Sequence, residues 1–223
     1  MNATPDLDGP VFEPASGGPA KQLVVLCHGV GADGNDLIGL APYWAPALPD
    51  ARFVSPHAPF PYDMAPFGRQ WYSLQDRTPA MIEAGSRAAA PILDAYLDRQ
   101  LAELGLDDSR LALVGFSQGT MMSLFVGLRR AKPCAGILGY SGRLVAPDSL
   151  ADELRSRPPV MLVHGEADPV VPFESLELAR AALEAAGVPV EAHARPGIGH
   201  SIDHWGLEAG ARFLRRGLVG EGG

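Results

Sequence analysis

Ser117 stands between two glycines in GFSQG (115–119), directly after the apolar run LALV. A serine at the junction of a strand and a helix, with glycine two positions away on either side, fits a sharp turn that raises its hydroxyl for nucleophilic attack. Such a turn forces strained backbone angles on the serine, so its near neighbours must be small. The helix N-terminus that follows favours negative charge developing at the site. The bland alternative is an ordinary glycine-rich turn. A serine hydroxyl is a poor nucleophile and needs a base. Of the six histidines, His200 in PGIGHSID is the expected base, because it lies on a glycine-rich loop after the last expected strand. His204, at the start of the last helix, is second. His193 alternates with apolar residues inside that strand and reads as half-buried or surface, and His57 sits in a proline-rich loop. The base in turn needs a carboxylate to hold its tautomer and stabilise the imidazolium. HGEADPVVP (164–172) supplies Asp168, whose position before Pro169 biases it towards extended backbone, with Glu166 as the alternative. His164 reads as structural, tying this loop down by hydrogen bonds.

Acyl transfer also needs donors for an oxyanion. One is expected from the backbone N–H of Gln118, immediately after the nucleophile. The other is expected from Val30 in CHGVGADGNDL (27–37), where Gly31 and Gly34 let the backbone curl towards a substrate. That segment contains GVGADG (29–34), a literal G-x-G-x-x-G. No acidic residue ends a second strand about twenty residues on, so dinucleotide binding is disfavoured. An apolar acyl pocket is expected, with Phe60, Met64, Phe67 and Trp71 as its wall and Met121 reaching in from behind the nucleophile. For any one of these residues, core packing is the competing reading. No CxxC or HxxxH spacing accompanies Cys27 or Cys134, so metal binding by them is not expected, and acyl transfer by these residues requires neither a metal nor an organic cofactor.

These residues must be positioned by elements legible as apolar runs. LVVLC (23–27), ARFVSP (51–56), RLALVGF (110–116), AGILGYS (135–141), VMLVHG (160–165) and VEAHARP (190–196) read as strands. Helical patterns cover residues 79–104, with Thr78 as N-cap and Gly105 as stop, and 118–130, 173–187 and 204–217. Pro91 predicts a kink or two pieces in the first. The segment from Ser55 to Asp76, rich in proline and aromatic residues, reads as a long shaped loop. Alternating strands and helices imply an α/β class with a mostly parallel sheet covered by helices on both faces. Ligands then bind beyond the carboxyl ends of the strands, which is where Ser117, Asp168 and His200 fall. Their order along the chain is that of an α/β-hydrolase. The expected organisation is an extended N-terminal arm (1–22), a single domain (23–217) and a flexible tail (218–223).

Composition bounds the rest. The chain has 223 residues, 47% hydrophobic and 20% charged, with a formal net charge of −8. That charge disfavours nucleic acid and anionic membranes as partners. Arg129, Arg130 and Lys132 read as the cationic end of a helix. No signal peptide or apolar run long enough to span a bilayer is apparent. Two isolated thiols fit a reducing compartment, so the cytoplasm is the expected location. An apolar pocket rim with little cap would suit a homodimer.

The blocks LCHGVGADGNDLIGLA, FGRQWYSL, RLALVGFSQGTMMSL, YSGRL, HGEADPVVP and PGIGHSI together resemble the phospholipase/carboxylesterase family of α/β-hydrolases, which includes acyl-protein thioesterases. The resemblance runs from about Leu23 to Leu214. It implies a compact core with little or no cap domain and a reduced first strand. It also implies Ser117, Asp168 and His200 as the triad, with Val30 and Gln118 as oxyanion donors. The implied activity is hydrolysis of carboxylic esters of short to medium acyl groups, with thioesters or lysophospholipids as alternatives on the same site. A catalytically silent binding protein on the same scaffold is the reading from another class. Cys27 departs from the family, which more usually has an aliphatic residue there.

Overall fold

The computed structural model describes residues 6–220; the first five positions of the expected arm and the last three of the expected tail lie outside them. Parallel strands need crossover helices, and the chain supplies them in order. After β1 (Val11–Phe12) and β2 (Gln22–Cys27) come α1 (Gly34–Leu37), α2 (Ala41–Trp44) and β3 (Ala51–Val54). A small hairpin follows, β4 (Phe60–Pro61) and β5 (Arg69–Gln70), and then α3 (Pro79–Leu104). The remainder alternates: β6 (Leu111–Phe116), α4 (Gln118–Gly127), β7 (Gly136–Tyr140), α5 (Leu150–Glu153), β8 (Val160–Gly165), α6 (Glu174–Ala185), β9 (Val190–Arg195) and α7 (His204–Leu218). The main sheet runs β1-β3-β2-β6-β7-β8-β9. Every pairing in it is parallel except β1 with β3.

Period-two alternation divides the core between the two faces. Leu23, Val25 and Cys27 point towards α3 and α4, where they join Leu93, Leu97 and Met122. Val24 and Leu26 point the other way, towards Trp44 of α2 and Phe213 of α7. Each of the six residues of β2 is buried, as its unbroken apolar run requires for a strand covered on both sides. All ten residues of α4 are buried too, so it is a core helix with no polar face.

The structure refines several expectations. Residues before Leu23 do more than extend: Val11 and Phe12 pair with Val54 and Phe53 and cover the edge of β3. Leu218, the first residue of the expected tail, closes α7 and is buried. The helix containing Pro91 is one element of 26 residues, not two. Pro91 faces solvent, while Ala89, Ile92, Leu93, Tyr96 and Leu97 bury the opposite face on both sides of it. Continuous packing therefore outweighs the single backbone hydrogen bond that proline removes. The helix expected over 118–130 ends at Gly127. Beyond it, Arg130 is 7% exposed and bonded to Asp94, Asp98 and Asp108, so it ties α4 to α3 and is not a solvated helix end.

Candidate active site

Ser117 joins β6 to α4 with φ 54° and ψ −116°, in the region that non-glycine residues avoid. The turn is held because nothing bulkier fits around it. A Cβ on Gly115 would lie 2.3 Å from the Thr120 nitrogen, and one on Gly119 would lie 1.8 Å from the Cys27 carbonyl oxygen. The Ser117 N–H donates to Tyr140 O at 2.9 Å, and Thr120 Oγ1 donates to the same carbonyl at 2.8 Å. The strained serine is thus pinned to β7 by its own amide and by Thr120.

The parallel register brings the ends of β8 and β9 level, with Gly165 opposite Arg195. Their following loops are stitched together by Glu166 N–H to Arg195 O and Ala167 N–H to Ile198 O. This places His200 Nδ1 2.7 Å from Asp168 Oδ2. The His200 ring also lies 4.8 Å, centroid to centroid, from that of Phe116, the residue before Ser117. The imidazole therefore packs on the residue before the elbow, across the ends of β7 and β8. The Asp168 side chain is fully buried and accepts three hydrogen bonds. Oδ1 accepts the N–H groups of Val170 and Val171, and Oδ2 faces both His200 and His164. Burial alone would raise its pKa, but the hydrogen bonds from His200, Val171 and Val170 outweigh it and hold the carboxyl below its ordinary range. His164 also bonds Val171 O at 3.0 Å and so fastens the acid loop, as its position suggested. Glu166 is exposed and away from this network.

The other histidines are engaged elsewhere. His204 is solvent-exposed and pairs with Glu208. His193 packs edge-on against Trp205. His57 Nδ1 accepts the N–H of Gly34. His28, which the sequence left unassigned, is buried; its Nδ1 bonds Gly29 O and its Nε2 accepts the N–H of Ala58. Only the neutral Nδ1–H tautomer satisfies both bonds, and burial lowers its pKa in the same sense.

A cavity of about 150 Å³ is bordered by Ser117, Gln118 and Val30. The Gln118 amide is the first of α4 and has no carbonyl within its helix. The next two amides after Val30 are taken, Gly31 by Arg69 O and Ala32 by Gly29 O, but Val30 itself has no acceptor among the described residues. Two free amides and a hydroxyl thus share one small space. Met121, Leu74, Ile82 and Val171 supply apolar wall, and Arg77 and Arg143 supply charge. Met121 is held by the Tyr72 hydroxyl, which donates to its sulfur at 3.1 Å; burial pushes that phenol's pKa up to about 12.

The expected aromatic wall is not where the sequence put it. Phe60, Met64 and Phe67 belong to the exposed β4–β5 hairpin, and none of them borders this cavity. Trp71 is fully buried, with its indole N–H on His28 O. Its work is support, because Gln118 Oε1 accepts the Trp71 N–H and Gln118 Nε2 donates to Tyr72 O. The hairpin in turn is docked on the Val30 loop through Gly31 N–H to Arg69 O and Arg69 N–H to Ala32 O. Proline and aromatic content marked this loop as shaped but not which way its side chains face. Val170 and Val171, which do border the cavity, had one signal, their place just beyond Asp168 and Pro169. Among the described residues, no group of three or more His, Cys, Asp or Glu side chains is arranged to hold a metal ion, and no helix is long and apolar enough to cross a membrane.

The family model for phospholipases and carboxylesterases matches residues 11–217. Acyl-protein thioesterase 1 of Gibberella zeae is 30% identical over 211 residues, covering 87% of this chain and 90% of that protein. Esterase YpfH of Escherichia coli is 30% identical over 197 residues, covering 88% and 83%. The crystal structure of esterase PE8 superposes with a TM-score of 0.91 at 43% identity, covering 95% of this chain and 99% of that one. With the elbow, the His–Asp pair and the parallel sheet already in place, these likenesses establish that the chain belongs to the phospholipase/carboxylesterase family, as a carboxylic ester hydrolase of the α/β-hydrolase fold.

Proposed function

We propose that the chain hydrolyses esters of short to medium acyl groups through Ser117, His200 and Asp168 and a covalent acyl-enzyme. The observation that carries this reading is the 2.7 Å bond between His200 Nδ1 and Asp168 Oδ2 beside the elbow. With Nδ1–H donated to the carboxylate, Nε2 keeps its lone pair and can accept a proton. His200 takes the proton of Ser117 as its Oγ attacks the carbonyl carbon, and the carbonyl electron pair moves onto oxygen. The N–H groups of Val30 and Gln118 stabilise that oxyanion; losing one such donor costs about 10²–10³ in turnover. Collapse expels the alkoxide, which takes the proton from His200. Water then repeats the cycle on the acyl-enzyme and releases the acid. Protons and electrons balance without a metal or organic cofactor. The small cavity supports short acyl groups.

A second reading, thioester hydrolysis at the same site, is favoured by the relatives named as acyl-protein thioesterases. A panel of matched oxygen and sulfur esters differing only in acyl length separates the two. Ser117→Ala is expected to lower p-nitrophenyl ester hydrolysis by at least about 10⁴-fold, with circular dichroism unchanged. A fluorophosphonate probe should label the wild-type serine and not the variant. Retained turnover or labelling in Ser117→Ala would remove this serine from the mechanism.

A further inference from the structure

Arg143 follows β7 and borders two spaces at once. One is the cavity that holds Ser117 and the amides of Val30 and Gln118. The other is a groove of about 390 Å³ with apolar wall from Leu144, Val145 and Leu178. Ile82 is the second residue common to both, so a chain leading from the nucleophile into the groove passes between Ile82 and Arg143.

The side chain of Arg143 is half-buried yet has no hydrogen bond or ion pair among the described residues. Its counterparts elsewhere are engaged, though Arg52 keeps one buried nitrogen unbonded. Arg52, Arg129, Arg130 and Arg195 each bind carboxylates, and Arg69 bonds two carbonyls. The molecule carries 26 acidic residues against 18 basic ones, so carboxylates were available. Asp148 lies on the same groove and makes no ion pair with Arg143. The buried acid Asp168 is engaged by Val170, Val171 and His200 and makes no ion pair with Arg143. Arg77, exposed at the mouth of the cavity, adds a second positive charge and spends one nitrogen on Leu74 O. A guanidinium presents a planar fork that matches a carboxylate in two parallel hydrogen bonds, and a partly desolvated one gains most from such a partner.

We infer that Arg143 is a specificity-determining residue that selects acyl groups ending in a carboxylate, the half-esters of short dicarboxylic acids. The inference rests on the esterase reading above and names its substrate class. A cavity this small spans only a few bond lengths, so a succinyl or glutaryl chain attached at Ser117 places its free carboxylate at the Arg143 fork. The reacting carbonyl stays on the two amides. Arg143 takes no part in the proposed proton transfers; it fixes which acyl chain arrives.

The test uses two p-nitrophenyl esters, the hydrogen glutarate and its neutral methyl-capped counterpart. The ratio of their kcat/KM values is read within each protein, so a general loss of activity cancels. Wild type is expected to favour the anionic ester by about 10- to 100-fold, as a charge-assisted hydrogen bond implies, mainly through KM. Arg143→Gln should bring the ratio to about one or below, Arg143→Lys should keep part of the preference, and high salt should shrink it in wild type. Equal kcat/KM for the two esters in wild type, or a preference untouched by Arg143→Gln, overturns the inference while leaving the esterase standing. Failure to hydrolyse either ester, with Ser117 unlabelled by fluorophosphonate, overturns both.

Discussion

Asp168 shows how one carboxylate is told from its neighbour two residues away. Both Glu166 and Asp168 follow β8, and the sequence ranks them only by the proline after Asp168. The structure separates them by burial and bonding: the buried Asp168 side chain accepts three hydrogen bonds and lies 3.2 Å from His164, and Glu166 lies in solvent. Asp168→Asn should therefore lower kcat by about 10⁴-fold, since an amide at that position no longer fixes the tautomer of His200. Glu166→Gln should change kcat less than about twofold. The comparison is a steady-state measurement on the same p-nitrophenyl ester, and the opposite ranking would make Glu166 the partner of the base. His200 and Asp168 were legible as partners, and Ser117 as the candidate nucleophile at the same edge, because each follows the end of a parallel strand, a place that topology brings together. Arg143 was not, because the sequence places it after β7 without saying whether its guanidinium turns to a carboxylate or to the cavity.

Elements became legible in proportion to their length. Strands β2, β6 and β8 are six-residue runs buried on both faces, and such runs announce themselves. Strands of two residues and helices of four carry no period to detect, which is why β1, β4, β5, α1 and α2 went unseen. The hairpin matters out of proportion to its size, because it couples the Val30 loop to α4. Gln118 is the connecting residue and does two separable jobs. Its backbone amide is the proposed oxyanion donor at the cavity Gln118 borders, and its side chain holds Trp71 and Tyr72 in place. Gln118→Ala keeps the first and deletes the second. Leaving the Trp71 N–H and Tyr72 carbonyl unpaired in the interior should cost about 2–4 kcal/mol of stability. Because Leu74 and Arg77 follow directly on the loosened loop, KM should rise more than kcat falls. Urea unfolding and a KM-against-kcat comparison check this; a stable variant with an unchanged KM would show that the side chain supports nothing.

On the scale of the whole molecule, the groove beside Ser117 is framed by pieces distant in sequence: the start of α3, the segment from Arg143 to Asp148, and α6. Ion pairs tie α3 to α5, which follows directly on the second piece. Glu153 of α5 receives Arg87 from α3 and Arg129 from just beyond α4, and Arg129 also stacks on Phe125 at 3.8 Å. The Arg87 hydrogen bond, with Arg129 adding to it against a smaller opposing effect of burial, lowers the Glu153 pKa to about 2. An unfolded glutamate titrates near about 4.3. The folded state therefore binds the proton less readily than the unfolded chain, and the stability Glu153 contributes is fully present above about pH 4.3. It drains away as pH falls towards about 2. Glu153→Gln should unfold at lower urea than wild type near about pH 6, and the gap should narrow as pH drops to about 3 and Glu153 itself becomes protonated in the unfolded wild type. Reading the difference between the two proteins removes the other carboxylates that titrate over the same range, Asp168 and Asp203 among them. A gap that stays constant from pH 6 to 3 would mean that the clamp holds α5 by packing and hydrogen-bond shape, with the charge on Glu153 contributing nothing.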